Sequence, residues 1–231
     1  MGLAALLVAM TGCVANPSSR HPSTTTAPSG AGKPSSAGKP SSAGNPVSNQ
    51  PMPKAAVKAR LKTAELPQRW WQWSESIDPS RNPIDDATGA SCGLNQPKDV
   101  WFLAGTHGGP ASRKCSVPLG RPLYFPVINQ VCEVVAGQST RAALTKCSAV
   151  EARGDAALDG KPISGSETTS PGAFDLVSKR GSSSFRPGRH TAVAWGLWVG
   201  PLPLAKGHHT LTFSGQAGTF STTVTYSLTV G

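Results

Sequence analysis

From Phe220 to Val230 the side chains alternate without a break. Phe220, Thr222, Val224, Tyr226, Leu228 and Val230 share one phase, and Ser221, Thr223, Thr225, Ser227 and Thr229 share the other. Strict period two predicts a strand with one face on a core and one in water. The preceding segment repeats the pattern, with His209, Leu211 and Phe213 against His208, Thr210, Thr212 and Ser214, and Gly215 to Gly218 supplies a turn. The two segments form a long antiparallel hairpin in which His209 points inward and His208 outward. A slip of one residue would exchange every one of these assignments.

Upstream, Thr191 to Val199 carries Val193, Trp195, Leu197 and Val199 on one side, with small residues and Trp198 on the other. Asp99 to Gly105 is apolar on both alternating faces, as a central strand covered on two sides would be. Leu123 to Ile128 reads as another strand, in which Pro126 implies an edge or a bulge. Helical spacing occurs twice. Pro67 to Ile77 places Leu66, Trp70, Trp73 and Ile77 on one face, with Trp71 outside that stripe, and Ser139 to Val150 aligns Ala143, Cys147 and Val150. Strands with one-sided patterning and Gly/Pro turns predict a mainly β fold, an antiparallel β-sandwich with one or two short helices, rather than βαβ units.

The first sixty residues follow different rules. Leu3 to Met10 is a short apolar run followed by Thr11-Gly12-Cys13, the pattern of a lipoprotein signal peptide over residues 1–12 with Cys13 as the acylated mature N-terminus. Residues 13–60 are rich in Pro, Ser, Gly and Ala and contain the repeat Ala31-Gly32-Lys33-Pro34-Ser35-Ser36, Ala37-Gly38-Lys39-Pro40-Ser41-Ser42, Ala43-Gly44-Asn45-Pro46. Such a composition buries too little surface to offset chain entropy, so a disordered tether is expected. As a coil of about 50 residues it would reach on the order of 40 Å. The folded domain is then 61–231.

Charge sharpens this division. The chain carries 22 Lys+Arg against 12 Asp+Glu, a net of +10, yet six of the cations and none of the anions precede Leu61, so the domain itself carries 16 against 12, or +4. A basic tether beside a lipid anchor suits anionic headgroups or acidic wall polymers, and nucleic acid is not an expected partner of an exported chain. No run of 18 apolar residues is present, which excludes a polytopic transporter.

Apart from Cys13, four cysteines remain: Cys92, Cys115, Cys132 and Cys147. An even number in an exported chain predicts two disulfides. Three pairings are open, of which Cys92 with Cys115 and Cys132 with Cys147 closes the shortest loops. No Cys-x-x-Cys or His-x-x-x-His spacing supports a zinc site. Asp85 and Asp86 are followed by no alternating oxygen ligands and read as turn carboxylates rather than a calcium loop. No metal or cofactor is therefore expected.

Catalytic residues are equally hard to nominate. Gly165-Ser166-Glu167 and Gly181-Ser182-Ser183 lack the trailing Gly of a nucleophile elbow, and His107-Gly108-Gly109 has only the outline of an esterase oxyanion loop. The remaining candidates form a binding surface. Trp71 and Trp198 lie off the principal apolar faces of their elements, His107 sits in a Gly-rich loop, and His208 faces water.

The phrase Leu202-Pro203-Leu204-Ala205-Lys206-Gly207-His208-His209-Thr210-Leu211-Thr212-Phe213, with Val224-Thr225-Tyr226-Ser227-Leu228-Thr229-Val230, resembles the closing strands of immunoglobulin-like bacterial extracellular domains. Leu158-Asp159-Gly160-Lys161-Pro162 is similar to their recurring Asp-Gly strand end. The stretch from Trp70 through Cys92, Val100 to Thr106, Cys115 and Phe125-Pro126-Val127 resembles a group of uncharacterised bacterial secreted proteins and lipoproteins. The resemblance implies an immunoglobulin-like fold and an extracellular location and brings no catalytic residues. The expectation is thus a lipid-anchored module on the outer side of the cell membrane, or a secreted one. It would bind a wall polymer, glycan or peptide without catalysis, with an extracellular hydrolase or a wall-associated spacer as alternatives.

Overall fold

Leu66 to Ser76 forms helix α1 in the computed structural model, which describes residues 61–231. These residues all belong to one unit of the chain. The signal peptide, Cys13 and the tether lie outside the described residues. Pro67 occupies the first turn, where its missing N–H costs nothing, and Leu66, Trp70, Trp73 and Ile77 are buried as the spacing predicts.

Ten strands follow: β1 (Trp101–Phe102), β2 (Gly109–Val117), β3 (Leu123–Glu133), β4 (Ala152–Leu158), β5 (Lys161–Ile163), β6 (Ser166–Thr169), β7 (Phe174–Ser178), β8 (Gly188–Leu202), β9 (Gly207–Ala217) and β10 (Phe220–Val230), with helix α2 (Thr140–Ser148) between β3 and β4. They make two sheets. The first has the order β1-β3-β8-β6, with β7 also paired to β8, and the second has the order β2-β10-β9-β4-β5. The domain is mainly β.

Pairing is not wholly antiparallel, which corrects the expectation from sequence. β10 runs parallel to β2 from Thr222 opposite Gly109 to Val230 opposite Val117, and β1 runs parallel to β3. The cause is connectivity. The chain changes sheets between β1, β2 and β3, so neighbours within a sheet are not joined by hairpins that would force opposite directions.

Apolar side chains fill three regions. Between the sheets lie Leu103, Val117, Phe125, Val199, Leu211, Phe213, Val224, Tyr226 and Leu228. On the far face of the first sheet, α1 covers Phe102, Tyr124, Leu176 and Trp198 with its tryptophans. α2 covers Val193 and Trp195 at one end of β8. The alternation read in Thr191 to Val199 is therefore correct, with α2 over one part of the face and the second sheet over the rest.

Several segments depart from expectation for local reasons. Asp99 to Gly105 is covered on both faces, yet only Trp101 and Phe102 pair, at an edge and not in the centre. That edge is closed by Gln96, whose side-chain amide accepts from Phe102 N–H and donates to the Phe102 carbonyl, both at 2.8 Å, as a neighbouring strand would. Pro126 sits at a register shift of β3, the bulge that proline implies. The hairpin turn is confined to Gly218 and Thr219, and Gly215 is paired inside β9. A Cβ on Gly215 would collide with the Val127 carbonyl of β3, so glycine is required there for the close approach of the sheets.

The hairpin register holds. Leu211 and Phe213 are buried, His209 is largely enclosed and His208 is exposed. Both disulfides also pair as the shortest loops suggest. Cys92–Cys115 ties the 78–97 segment to β2, and Cys132–Cys147 ties α2 to β3, with Cα separations of 6.0 and 5.8 Å. Such bonds fit an oxidising, extracytoplasmic environment. Among the described residues no helix is long and apolar enough to cross a membrane.

Candidate functional site

β2 brings Arg113 into the interior. Its neighbours on the inward phase are Ala111, Cys115 and Val117, and its own exposure is 2%. The guanidinium meets carbonyl oxygens of Asp86 (2.6 Å from Nε), Ala104 (2.7 Å), Gly105 (2.9 Å) and Ile84 (2.9 Å), together with the Tyr226 hydroxyl at 3.0 Å. None of these partners is a carboxylate. The cation thus pins the 84–86 turn and the 104–105 chain with donors in a planar fork, a task the single point charge of Lys would not match.

Of the residues so pinned, Ile84 and Gly105 wall a cavity of about 130 Å³, lined also by Trp71 from α1, Thr106 and His107, the β3 bulge from Pro126 to Asn129, and Phe220 and Thr222 of β10. Its polar groups divide sharply. Thr106 and Thr222 hydroxyls lie 2.9 Å apart, and Thr106 also contacts the Gly109 carbonyl at 3.1 Å, so both are engaged. Trp71 Nε1 and Asn129 Nδ2, in contrast, are buried atoms with no hydrogen-bond partner among the described residues. Four of the six indoles do find partners: Trp70 with Leu103 O, Trp73 with Leu94 O, Trp195 with Glu167 and Trp198 with Thr168 O. The other two orphan atoms, Ser74 Oγ and Trp101 Nε1, belong to residues outside the cavity lining.

His107 belongs to the cavity and to the surface. Its Nε2 is 2.8 Å from Ser183 Oγ, on the β7–β8 loop, and 3.6 Å from Asp85 Oδ1. Glu75, buried on α1, accepts from the Ser178 and Ser182 hydroxyls at 2.9 Å and seats the same loop. A serine, a histidine and an aspartate therefore converge from three connections. Both contacts fall on one ring nitrogen, however, so the second nitrogen has no carboxylate to orient the imidazole as a general base.

Two other histidines are placed so that the protonated ring is favoured. His190 places Nδ1 2.8 Å from Glu133 and Nε2 2.7 Å from the Arg186 carbonyl, and His209 places Nδ1 2.7 Å from Asp159 and Nε2 3.1 Å from the Ala205 carbonyl. Every partner only accepts, so only the protonated ring can donate to both. The Glu133 carboxylate, with the Arg186 carbonyl, raises the His190 pKa, and the Asp159 carboxylate raises that of His209 against the opposing effect of burial. Asp159 is lowered in turn by His209 and the Thr210 N–H. Burial pulls the Asp86 carboxyl up, but donors from Ser91 and Thr88 outweigh it and hold the group below the ordinary range. Asp86 is thus the turn carboxylate expected, and its contacts are local.

The candidate binding surface read from the sequence is not one surface. Trp198 is 1% exposed and stacks on Tyr124 beneath α1, so it presents nothing to a ligand. Trp71 is 7% exposed and acts as a cavity wall rather than an open platform. His208 lies on the outer face of the second sheet beside Thr229, nine residues along β10 from Phe220, a separation of about 30 Å. Trp71, as a wall, and His107 remain at the site. Sequence pattern does not nominate Asn129, Asp85, Ser183 or Arg113 for it. A larger open cleft of about 850 Å³ lies beside β4, β5 and β9. Its Arg153 already donates to Gln216 at 2.7 Å, and none of the orphan atoms belongs to its lining. Among the described residues no group of three or more His, Cys, Asp or Glu is placed to hold a metal.

Comparison with protein-family models, with curated proteins and with solved structures finds no match to this chain.

Proposed function

We propose that the chain is an exported lipoprotein, anchored through Cys13 and standing off the membrane on the 13–60 tether, whose domain is a noncatalytic binding module with the Trp71–Asn129 cavity as its site. One observation carries the binding reading: two buried donors without partners belong to the lining of the same small cavity. An unpaired buried N–H costs about 1 to 3 kcal/mol, and a ligand acceptor would recover it. The exported location draws support from the two disulfides, and the anchor from Thr11-Gly12-Cys13. Strand order supports an immunoglobulin-like assignment. β1-β3-β8-β6 runs as A-B-E-D, and β4-β9-β10 as C-F-G, with β5 beside β4 and β2 beside β10. A wall polymer, glycan or peptide would be the ligand.

Glycan and peptide arrays probed with the oxidised chain test this reading. Binding that Asn129→Asp weakens supports it, and binding indifferent to the cavity, or none, favours a spacer. Cys13→Ala should release the protein into the medium. Retention on membranes through high-salt washing would refute the anchor.

The 2.8 Å contact between Ser183 and His107 favours a second reading, an extracellular hydrolase. Turnover of a chromogenic acetyl ester that both Ser183→Ala and His107→Ala abolish would establish it. Turnover that survives Ser183→Ala would dismiss it.

A further inference from the structure

We infer that the cavity receives an acetyl-sized group, a carbonyl or carboxylate oxygen bearing a methyl, as found on N-acetylated sugars and in free acetate. This inference rests on the binding reading above and narrows it.

Size comes first. A space of about 130 Å³ suits a small substituent better than a whole sugar or a large side chain. Polarity comes next. The buried atoms of the wall without partners are both N–H donors, on Trp71 and Asn129, while the Thr106 and Thr222 hydroxyls are engaged with each other. The Ile84 and Gly105 carbonyls are likewise turned to Arg113. A ligand oxygen could accept from both donors.

Apart from His107, the rest of the lining is largely apolar, with Ile84, Pro126 and Ile128 available to a methyl. Phe220 lines the cavity and stays 39% exposed, so it stands at the opening where the body of a larger ligand would lie. A sugar ring resting on that aromatic face, with only its acetamido group inserted, satisfies size, polarity and opening together.

The test is an NMR titration of the oxidised full chain, following the Trp71 indole N–H resonance, assigned by its loss in Trp71→Phe. The probes are N-acetylglucosamine, glucosamine and acetate. N-acetylglucosamine should shift the resonance saturably and glucosamine should not. Asn129→Asp, which is nearly isosteric and replaces a donor with an acceptor, should weaken the response roughly tenfold or more. A response to acetate without one to N-acetylglucosamine supports the same chemistry and assigns its source to a free carboxylate. Equal shifts from glucosamine and N-acetylglucosamine overturn the inference, as does silence with every acetyl probe. If an array ligand lacking acetyl groups then moves the Trp71 resonance, the binding reading survives its narrower form. If no bound ligand moves it, both fall.

Discussion

Arg113, which holds the Ile84 and Gly105 carbonyls, and the pair Trp71–Asn129, which lines the same cavity as those two residues, treat hydrogen bonding in opposite ways. Arg113 is charged, almost wholly enclosed, and held by four carbonyls and a hydroxyl. Trp71 and Asn129 are neutral, and each leaves a donor without a partner. Interiors rarely strand a donor, and they strand a cation less often still. The arrangement therefore separates two tasks. The arginine fixes the Ile84 and Gly105 backbone rigidly, and the rigid wall holds two donors in readiness. A site supported in this way loses little to reorganisation when a ligand arrives.

Breaking the satisfied side should have the largest effect. Arg113→Ala strands the Ile84, Asp86 and Gly105 carbonyls, while Ala104 and Tyr226 keep their contacts with each other, and it should cost about 3 kcal/mol or more in a denaturant melt. Arg113→Lys should recover only part of this, since one ammonium cannot span the fork. Next comes the disulfide that ties the same 78–97 segment to β2. Cys92→Ser with Cys115→Ser opens a 23-residue separation and should cost about 3 kcal/mol by chain entropy. A loss well below 1 kcal/mol would show that Arg113 holds the segment unaided.

A smaller effect is expected from pH. The folded pKa values of His190 and His209 are raised, so their charged contacts stabilise fully below the ordinary histidine value of about 6.5 and are lost as pH climbs through the raised values. The lowered Asp159 acts in the other direction, contributing above about 4 and failing on acidification. The thermal midpoint should thus fall as pH rises from roughly 6 to roughly 8. His209→Gln should flatten that slope, and an unchanged slope in the variant would remove His209 from the explanation.

The same contrast accounts for what the sequence discloses. The β9–β10 hairpin is legible because one face is buried and the other wet, so burial is written directly as alternation. Trp198 misleads because helix α1, distant in sequence, covers the face it occupies. β2 is hidden because Gly109-Pro110 opens it, while Arg113 occupies an inward position and Lys114 an outward one. Only its phase with Ala111, Cys115 and Val117 marks Arg113 as an inward residue, and that signal is readable only once the strand is assumed. Asp85, His107 and Ser183 come from three separate connections, and no local pattern announces their meeting. Asn129 follows the Pro126 bulge, which is legible, but its loss of a partner depends on the whole wall.

The most direct measurement is the stability of Asn129→Leu by equilibrium denaturation, set beside Arg113→Ala. A buried donor without a partner destabilises the folded state, so replacing it with an apolar group of similar size should raise stability or leave it within about 0.5 kcal/mol of the parent. A loss of about 2 kcal/mol or more, approaching that of Arg113→Ala, would mean that the Asn129 amide is bonded as fully as the arginine and that the cavity holds no donor for a ligand.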